Sequence, residues 1–110
     1  MKKYLAAAIV CVSVGVVIAL AARSAEAAGQ PGGEALFKQH CVVCHVDGGN
    51  IINAQKTLHK KDREANGIKT ADAIIKTMKN PGPGMTKFDE KTIPAKDAKA
   101  IADYVIKTFK

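Results

Sequence analysis

Tryptophan is missing from this chain of 110 residues, and the other aromatic residues are only two tyrosines and three phenylalanines. Aromatic side chains bury large areas, so their scarcity leaves a small domain with little core. Cysteine is also scarce, with Cys11, Cys41 and Cys44 the only examples. A bridge between the last two would close almost no loop, which excludes a disulfide framework as the main source of stability. A domain of this composition is expected to need a metal or a cofactor.

Strand-like alternation is missing as well, and the chain has no internal repeat. Helical periodicity instead predicts an all-α fold of about four helices with long loops between them. Thr70 is a good N-cap, Asn66-Gly67 is a good C-terminal cap, and Glu34 suits the dipole of a first turn. The predicted helices cover residues 34–41, 55–67, 70–80 and 94–109. Their clearest apolar stripes are Ala71, Ile74, Ile75 and Met78, and Ala98, Ile101, Ala102, Val105 and Phe109.

The N-terminal segment has the composition of a signal peptide. A basic start precedes residues 4–22, which contain no charge, and Ala25-Glu26-Ala27 fits the small-residue rule for cleavage. We expect residues 1–27 to be removed, residues 28–33 to be a flexible lead-in and residues 34–110 to form one domain in the periplasm. The alternative is a retained membrane anchor, because the apolar run is long enough to span a bilayer.

Acidic residues are the minority in the predicted mature part. Residues 28–110 contain fourteen Lys or Arg and nine Asp or Glu, a formal charge of +5. This excess favours acidic partner proteins, although solvated lysines that only maintain solubility are an equally good interpretation. Nucleic acid is not expected as a partner, because the domain is predicted to be exported and has no nucleic-acid-binding motif.

The pentapeptide CVVCH, which ends at His45, has four interpretations. A thioredoxin-like redox pair needs a preceding strand, which the sequence does not predict. A zinc site needs about four ligands, so Cys41, Cys44 and His45 would require His40 or His59 as a fourth. A plain disulfide leaves the histidine unexplained. C-x-x-C-H is the attachment signature of c-type haem, in which both thiols form thioethers with the haem vinyl groups and the histidine binds the iron. We therefore predict one covalent haem c, with its iron.

Four residues are candidates for the sixth ligand of the iron. Met78 belongs to an apolar helix stripe and is better explained as core. His59 lies among lysines on a solvated face, and His40 is expected to point away from the side that carries His45. Met85 follows NPGPG, a stiff segment without helix that would bring one side chain over a flat cofactor. Methionine is a known axial ligand that raises the reduction potential. We place the ligand at Met85.

The haem motif and the segments around it resemble those of a known protein family. The chain is similar to the class I c-type cytochromes, small monohaem electron carriers, and most similar to their c-six-type branch and to related cytochromes of metal-reducing bacteria. The resemblance covers residues 33–109. Gly33 and Phe37 match the glycine and the aromatic residue of the family's first helix, and Ile101 and Tyr104 match the pair on the last helix that crosses it.

The segment around Met85 also resembles the family's methionine loop. NPGPGMTKF occupies the place of the family's loop, with Thr86 where the family usually has proline. The family's usual proline on the histidine side is also missing. The resemblance implies low-spin iron held by His45 and Met85, terminal helices packed nearly at right angles, and electron transfer between proteins. It implies no enzyme activity and no small-molecule substrate.

Three lysines flank the methionine loop and would form a basic rim for an acidic partner: Lys79, Lys87 and Lys91. Two alternatives to the electron carrier remain. A haem sensor or small haem enzyme would have an open or exchangeable sixth position. A zinc-binding structural module would contain no haem at all.

Overall fold

The computed structural model describes residues 32–110, so the predicted signal segment and most of the lead-in lie outside the described residues. Within that range the chain forms four helices and no strand, which confirms the all-α prediction. The helices are α1 (Gly33–His40), α2 (Lys60–Ala65), α3 (Ala71–Lys79) and α4 (Ala95–Thr108), with a single 3-10 turn at Val46–Gly48. None of them has the length and hydropathy of a membrane span.

The first and last helices pack against each other at Gly33. A Cβ atom at this position would lie 2.2 Å from the carbonyl oxygen of Ala100 and 2.9 Å from the Cβ of Tyr104. Both are atoms that a side-chain rotation cannot move away, so only glycine allows α1 to approach α4 this closely. The ring of Phe37, one helical turn on, lies 5.3 Å from that of Tyr104.

Helix α4 also packs against α3, and the core lies where these helices meet α1. Most residues of the two predicted stripes are buried there, and Ala71 and Ile75 pack at its margin. Met78 is 3% exposed, as expected for a core residue. The buried apolar residues are Leu36, Phe37, Ile74, Met78, Ile93, Ala98, Ile101, Ala102, Val105 and Phe109.

The second helix is shorter than predicted and begins only at Lys60. The preceding segment is instead held in turns by short polar side chains. The Asn50 side-chain oxygen accepts from the amides of Ile52 and Asn53, and Asn53 in turn accepts from Gln55. Such local bonds compete with helix formation, which the charge pattern alone does not reveal.

The end of α2 agrees with the prediction. Gly67 has a φ of +77°, and the amide of Ile68 donates to the carbonyl of Arg63 over 2.8 Å. This is the left-handed glycine cap that Asn66-Gly67 predicts. The Thr70 side chain caps α3 as predicted, accepting from the amide of Ala73. Pro94, the first residue of the predicted fourth helix, is instead the N-cap of α4, which begins at Ala95.

Candidate haem site

The CVVCH motif continues directly from α1 as a further turn. The amides of Cys44 and His45 both donate to the carbonyl of Cys41, over 3.2 and 3.0 Å. These i+3 and i+4 bonds give the segment helical spacing, so the three side chains lie on one face. The position of Cys41 is fixed by its own amide, which donates to Phe37 over 2.8 Å. The motif is therefore anchored to a core residue of α1.

Cys41 and Cys44 form no disulfide with each other. Cys41 is half-buried against the core, and this burial raises the pKa of its thiol to about 11. The thiol is therefore protonated and neutral at physiological pH. In the part of the chain that the structure describes, no group of three or more His, Cys, Asp or Glu side chains is arranged to hold a metal ion.

The ring of His45 is oriented by a backbone carbonyl. Its Nδ1 atom lies 2.7 Å from the carbonyl oxygen of Gly49. Because a carbonyl can only accept, Nδ1 carries the hydrogen and the lone pair of the neutral ring is on Nε2. A histidine that binds metal usually donates its other nitrogen in this way. The ring is thus prepared to bind iron through Nε2, although the family's usual proline is absent.

Four large apolar side chains are exposed among the described residues, and all of them follow the first cysteine closely. We call these four residues, which all lie within residues 43–52, the apolar wall: Val43 (75% exposed), Val46 (54%), Ile51 (66%) and Ile52 (63%). Large apolar side chains that stay exposed in one short stretch of chain are what a surface covered by a ligand would contain. Two thiols, an oriented imidazole and an apolar wall fit a covalent haem, whose macrocycle is flat and apolar.

The methionine loop approaches this wall. Gly84 has a φ of +89°, and a Cβ atom placed there would lie 2.9 Å from the side chain of Ile52. Ile51, the neighbour of Ile52, donates its amide to the carbonyl of Cys44 over 3.1 Å. Met85 directly follows Gly84 and is half-buried against the core. The fold therefore brings the Met85 loop to the segment that follows the haem motif.

The other candidate ligands have different environments. Met78 is buried in the core with its helix stripe. His59 is exposed and its ring lies edge-on to Phe109 at 5.8 Å. The ring of His40 packs edge-on against Phe88 at 6.1 Å, at the far end of the methionine loop. Met85 therefore stays the predicted ligand.

The family described as "Cytochrome C oxidase, cbb3-type, subunit III" matches residues 28–105 of this chain. Cytochrome c6 of Rippkaea orientalis is 39% identical over 74 residues, which cover 67% of this chain and 66% of that protein. Cytochrome c6 of Microcystis aeruginosa is 35% identical, over 67% of this chain and 90% of its own length. The chain belongs to the monohaem class I c-type cytochromes.

Solved structures agree with this assignment. OmcF, the outer membrane cytochrome F from Geobacter sulfurreducens, is 47% identical and superposes with a TM-score of 0.70, over 72% of this chain and 100% of that one. Cytochrome c6C from Synechococcus sp. PCC 7002 is 27% identical with a TM-score of 0.65, over 70% and 93% of the two chains. The cytochrome thus has the class I fold, binds one covalent haem c, and carries electrons between proteins without being an enzyme.

The predicted basic rim is smaller than expected. Lys87 and Lys91 are exposed, but the side chain of Lys79 is only 25% exposed and is held by Glu90 at 3.2 Å. Sequence reasoning missed this pair, although opposite charges on either side of the methionine loop were a signal for it. It also missed the Gly49 carbonyl, for which no side chain gives a signal.

Proposed function

We propose that this cytochrome is an exported one-electron carrier whose haem is attached through Cys41 and Cys44 and whose iron is bound by His45 and Met85. When bound, the haem supplies an Fe(III)/Fe(II) couple. The residues of the chain hold that couple in a fixed, largely apolar environment. Export rests on the N-terminal sequence, with its uncharged run and its small-residue cleavage site at Ala25-Glu26-Ala27.

Fixed geometry on the histidine side supports this proposal. The hydrogen bond from His45 Nδ1 to the Gly49 carbonyl spans 2.7 Å, and the amide of Gly48 donates to the His45 carbonyl over 3.1 Å. The ring is thereby held by its own local turn. A ligand that does not move between oxidation states keeps the reorganisation on electron transfer small.

The location of Met85 is the observation on which the proposal depends. Met85 is half-buried in a loop that contacts the apolar wall through Gly84 and Ile52. The other methionine of the domain, Met78, is already part of the core. A thioether is a weak, soft ligand that favours Fe(II), so methionine ligation predicts a raised potential. An acidic protein partner is proposed from the exposed Lys87 and Lys91, which flank this loop.

The test is ligand replacement. The oxidised holoprotein should show the weak near-red absorption of methionine sulfur bound to haem iron. Met85→Ala should abolish that band and open the site to carbon monoxide in the reduced protein. Met85→His should keep six-coordinate, low-spin iron but lower the reduction potential substantially, because imidazole does not favour Fe(II) as a thioether does.

Met78→Leu is the matched control. It nearly conserves volume in the core and should cost less than about 1.5 kcal/mol of stability, without any change in the near-red band. Survival of the band in Met85→Ala, or its loss in Met78→Leu, would show that the ligand is misassigned. Ready binding of carbon monoxide by the unmodified protein would instead favour the haem sensor with an open sixth position.

A further inference from the structure

Lys79 differs from three other ion-paired lysines of the described residues, Lys38, Lys60 and Lys99. Its Nζ atom donates to the carbonyl oxygen of Ile93 over 2.6 Å and lies 3.2 Å from Glu90. Its side chain is three-quarters buried, and Ile93 is fully buried. Three other pairs are exposed and link residues four apart on one helix: Glu34–Lys38, Lys60–Glu64 and Lys99–Asp103. Lys79, which precedes the methionine loop, instead contacts two residues that follow it.

The same contacts reach the start of α4. The second carboxylate oxygen of Glu90 accepts from the amide of Ala95, the first residue of that helix, over 3.1 Å. Beside it, the amide of Phe88 donates to the carbonyl of Met78 over 3.0 Å. Lys79, Glu90 and the Ile93 carbonyl, which we call the Lys79 clamp, therefore join the end of α3 to the beginning of α4.

The loop between these ends has little structure of its own. Within residues 80–88 of this stretch, the one described backbone hydrogen bond between two loop residues runs from the Met85 amide to the Gly82 carbonyl at 3.5 Å, the limit for such a bond. Both loop prolines lack an amide hydrogen and cannot donate. Contacts with the rest of the protein must therefore hold the loop in place, and the Lys79 clamp supplies those at its base.

We infer that Lys79 is a positioning residue that holds the methionine loop closed over the haem and so stabilises the bond between Met85 and the iron. The inference rests on the proposed ligation by Met85. A charged hydrogen bond that is partly shielded from water is stronger than an exposed ion pair. Loss of Lys79 leaves the Ile93 carbonyl without this donor and Glu90 without its cation. The loop then opens more often, and an external ligand competes better for the iron.

Imidazole binding to the oxidised holoprotein measures this opening, since imidazole can bind only when Met85 has left. Lys79→Met keeps a long, apolar side chain but removes the charge and the donors. It should raise the affinity for imidazole about tenfold, equivalent to 1.4 kcal/mol. The amide hydrogen of Phe88 should exchange faster with solvent in the same variant, a readout that involves no iron chemistry. Lys79→Arg, which keeps charge and donors, should stay within about threefold of the parent.

Lys99→Met is the matched control. It removes one positive charge, as Lys79→Met does, but the ion pair that it breaks is the exposed one with Asp103 on α4. It should leave imidazole affinity unchanged. The inference is overturned if Lys79→Met binds imidazole like the parent, or if Lys99→Met increases the affinity equally. Glu90→Gln is the second variant if Lys79→Met folds poorly, and it should also increase the affinity. A parent protein without the near-red band would refute the ligation by Met85 itself, so the two failures are distinguishable.

Discussion

Replacement of Gly33 tests the packing of the terminal helices most directly. In Gly33→Val the new Cβ would lie 2.2 Å from the carbonyl oxygen of Ala100 and 2.9 Å from its carbonyl carbon. Real Cβ atoms essentially never approach other atoms this closely, and the neighbours are backbone, so α1 and α4 must separate. Overpacking of this kind costs about 1–3 kcal/mol.

The cost should appear as a lower Tm. For a domain of 60–100 residues, 1 kcal/mol shifts Tm by about 4–8 °C, so we expect a decrease on the order of 5–20 °C. Circular dichroism of the holoprotein would follow the loss of helix, and the haem spectrum at low temperature should remain that of the parent. The site itself lies beyond the contact, at Cys41 and after it.

Gly32→Ala is the control for this substitution. Gly32 is the neighbouring residue, it precedes α1, and a Cβ atom placed on it meets nothing within 4 Å. Its Tm should therefore change little. A Gly33→Val protein as heat-stable as the Gly32→Ala protein would refute the close packing of α1 on α4.

Two further predictions concern attachment and docking. Cys41→Ala together with Cys44→Ala should abolish covalent haem, measured as haem that stays with the denatured polypeptide, and should destabilise the domain; a folded double variant with covalent haem would exclude these thioethers. Charge reversal at Lys87 and Lys91 should slow electron transfer to an acidic partner at low salt, with the difference shrinking as salt rises because exposed charges are screened beyond about 10 Å at 0.1 M. Equal rates at every ionic strength would mean that both lysines are only solvated.

Much of the fold could be predicted because its determinants are local. The stripe Ala71, Ile74, Ile75 and Met78 has helical spacing, and Thr70 precedes it with a side chain suited to capping. The structure forms that helix and that cap. The glycine after Asn66 is likewise in the left-handed conformation that such a cap requires. Hydrogen bonds between residues only a few positions apart depend on the local sequence, so the sequence predicts them.

Contacts between distant segments were less predictable. The charge of Lys79 and its position beside the loop predict a place on the partner surface, whereas its bond to the Ile93 carbonyl depends on how α3 meets α4. The Gly49 carbonyl that orients His45 was missed for a related reason. Every residue has a backbone carbonyl with the same chemistry. Which carbonyl accepts the hydrogen bond from His45 therefore depends on the three-dimensional path of the backbone.

The distribution of apolar residues explains why a chain with so few aromatic residues can fold around a cofactor. The buried core lies among α1, α3 and α4, while the apolar wall near the haem motif remains exposed. Exposed apolar surface of this kind is unfavourable in water, and a bound macrocycle that covers it stabilises the folded state. Cys41 is part of both regions, since it packs against the core and lies on the face that carries Cys44 and His45. Attachment at Cys41 would therefore place the haem in contact with both the buried core and the apolar wall, so that these two regions form one continuous apolar interior.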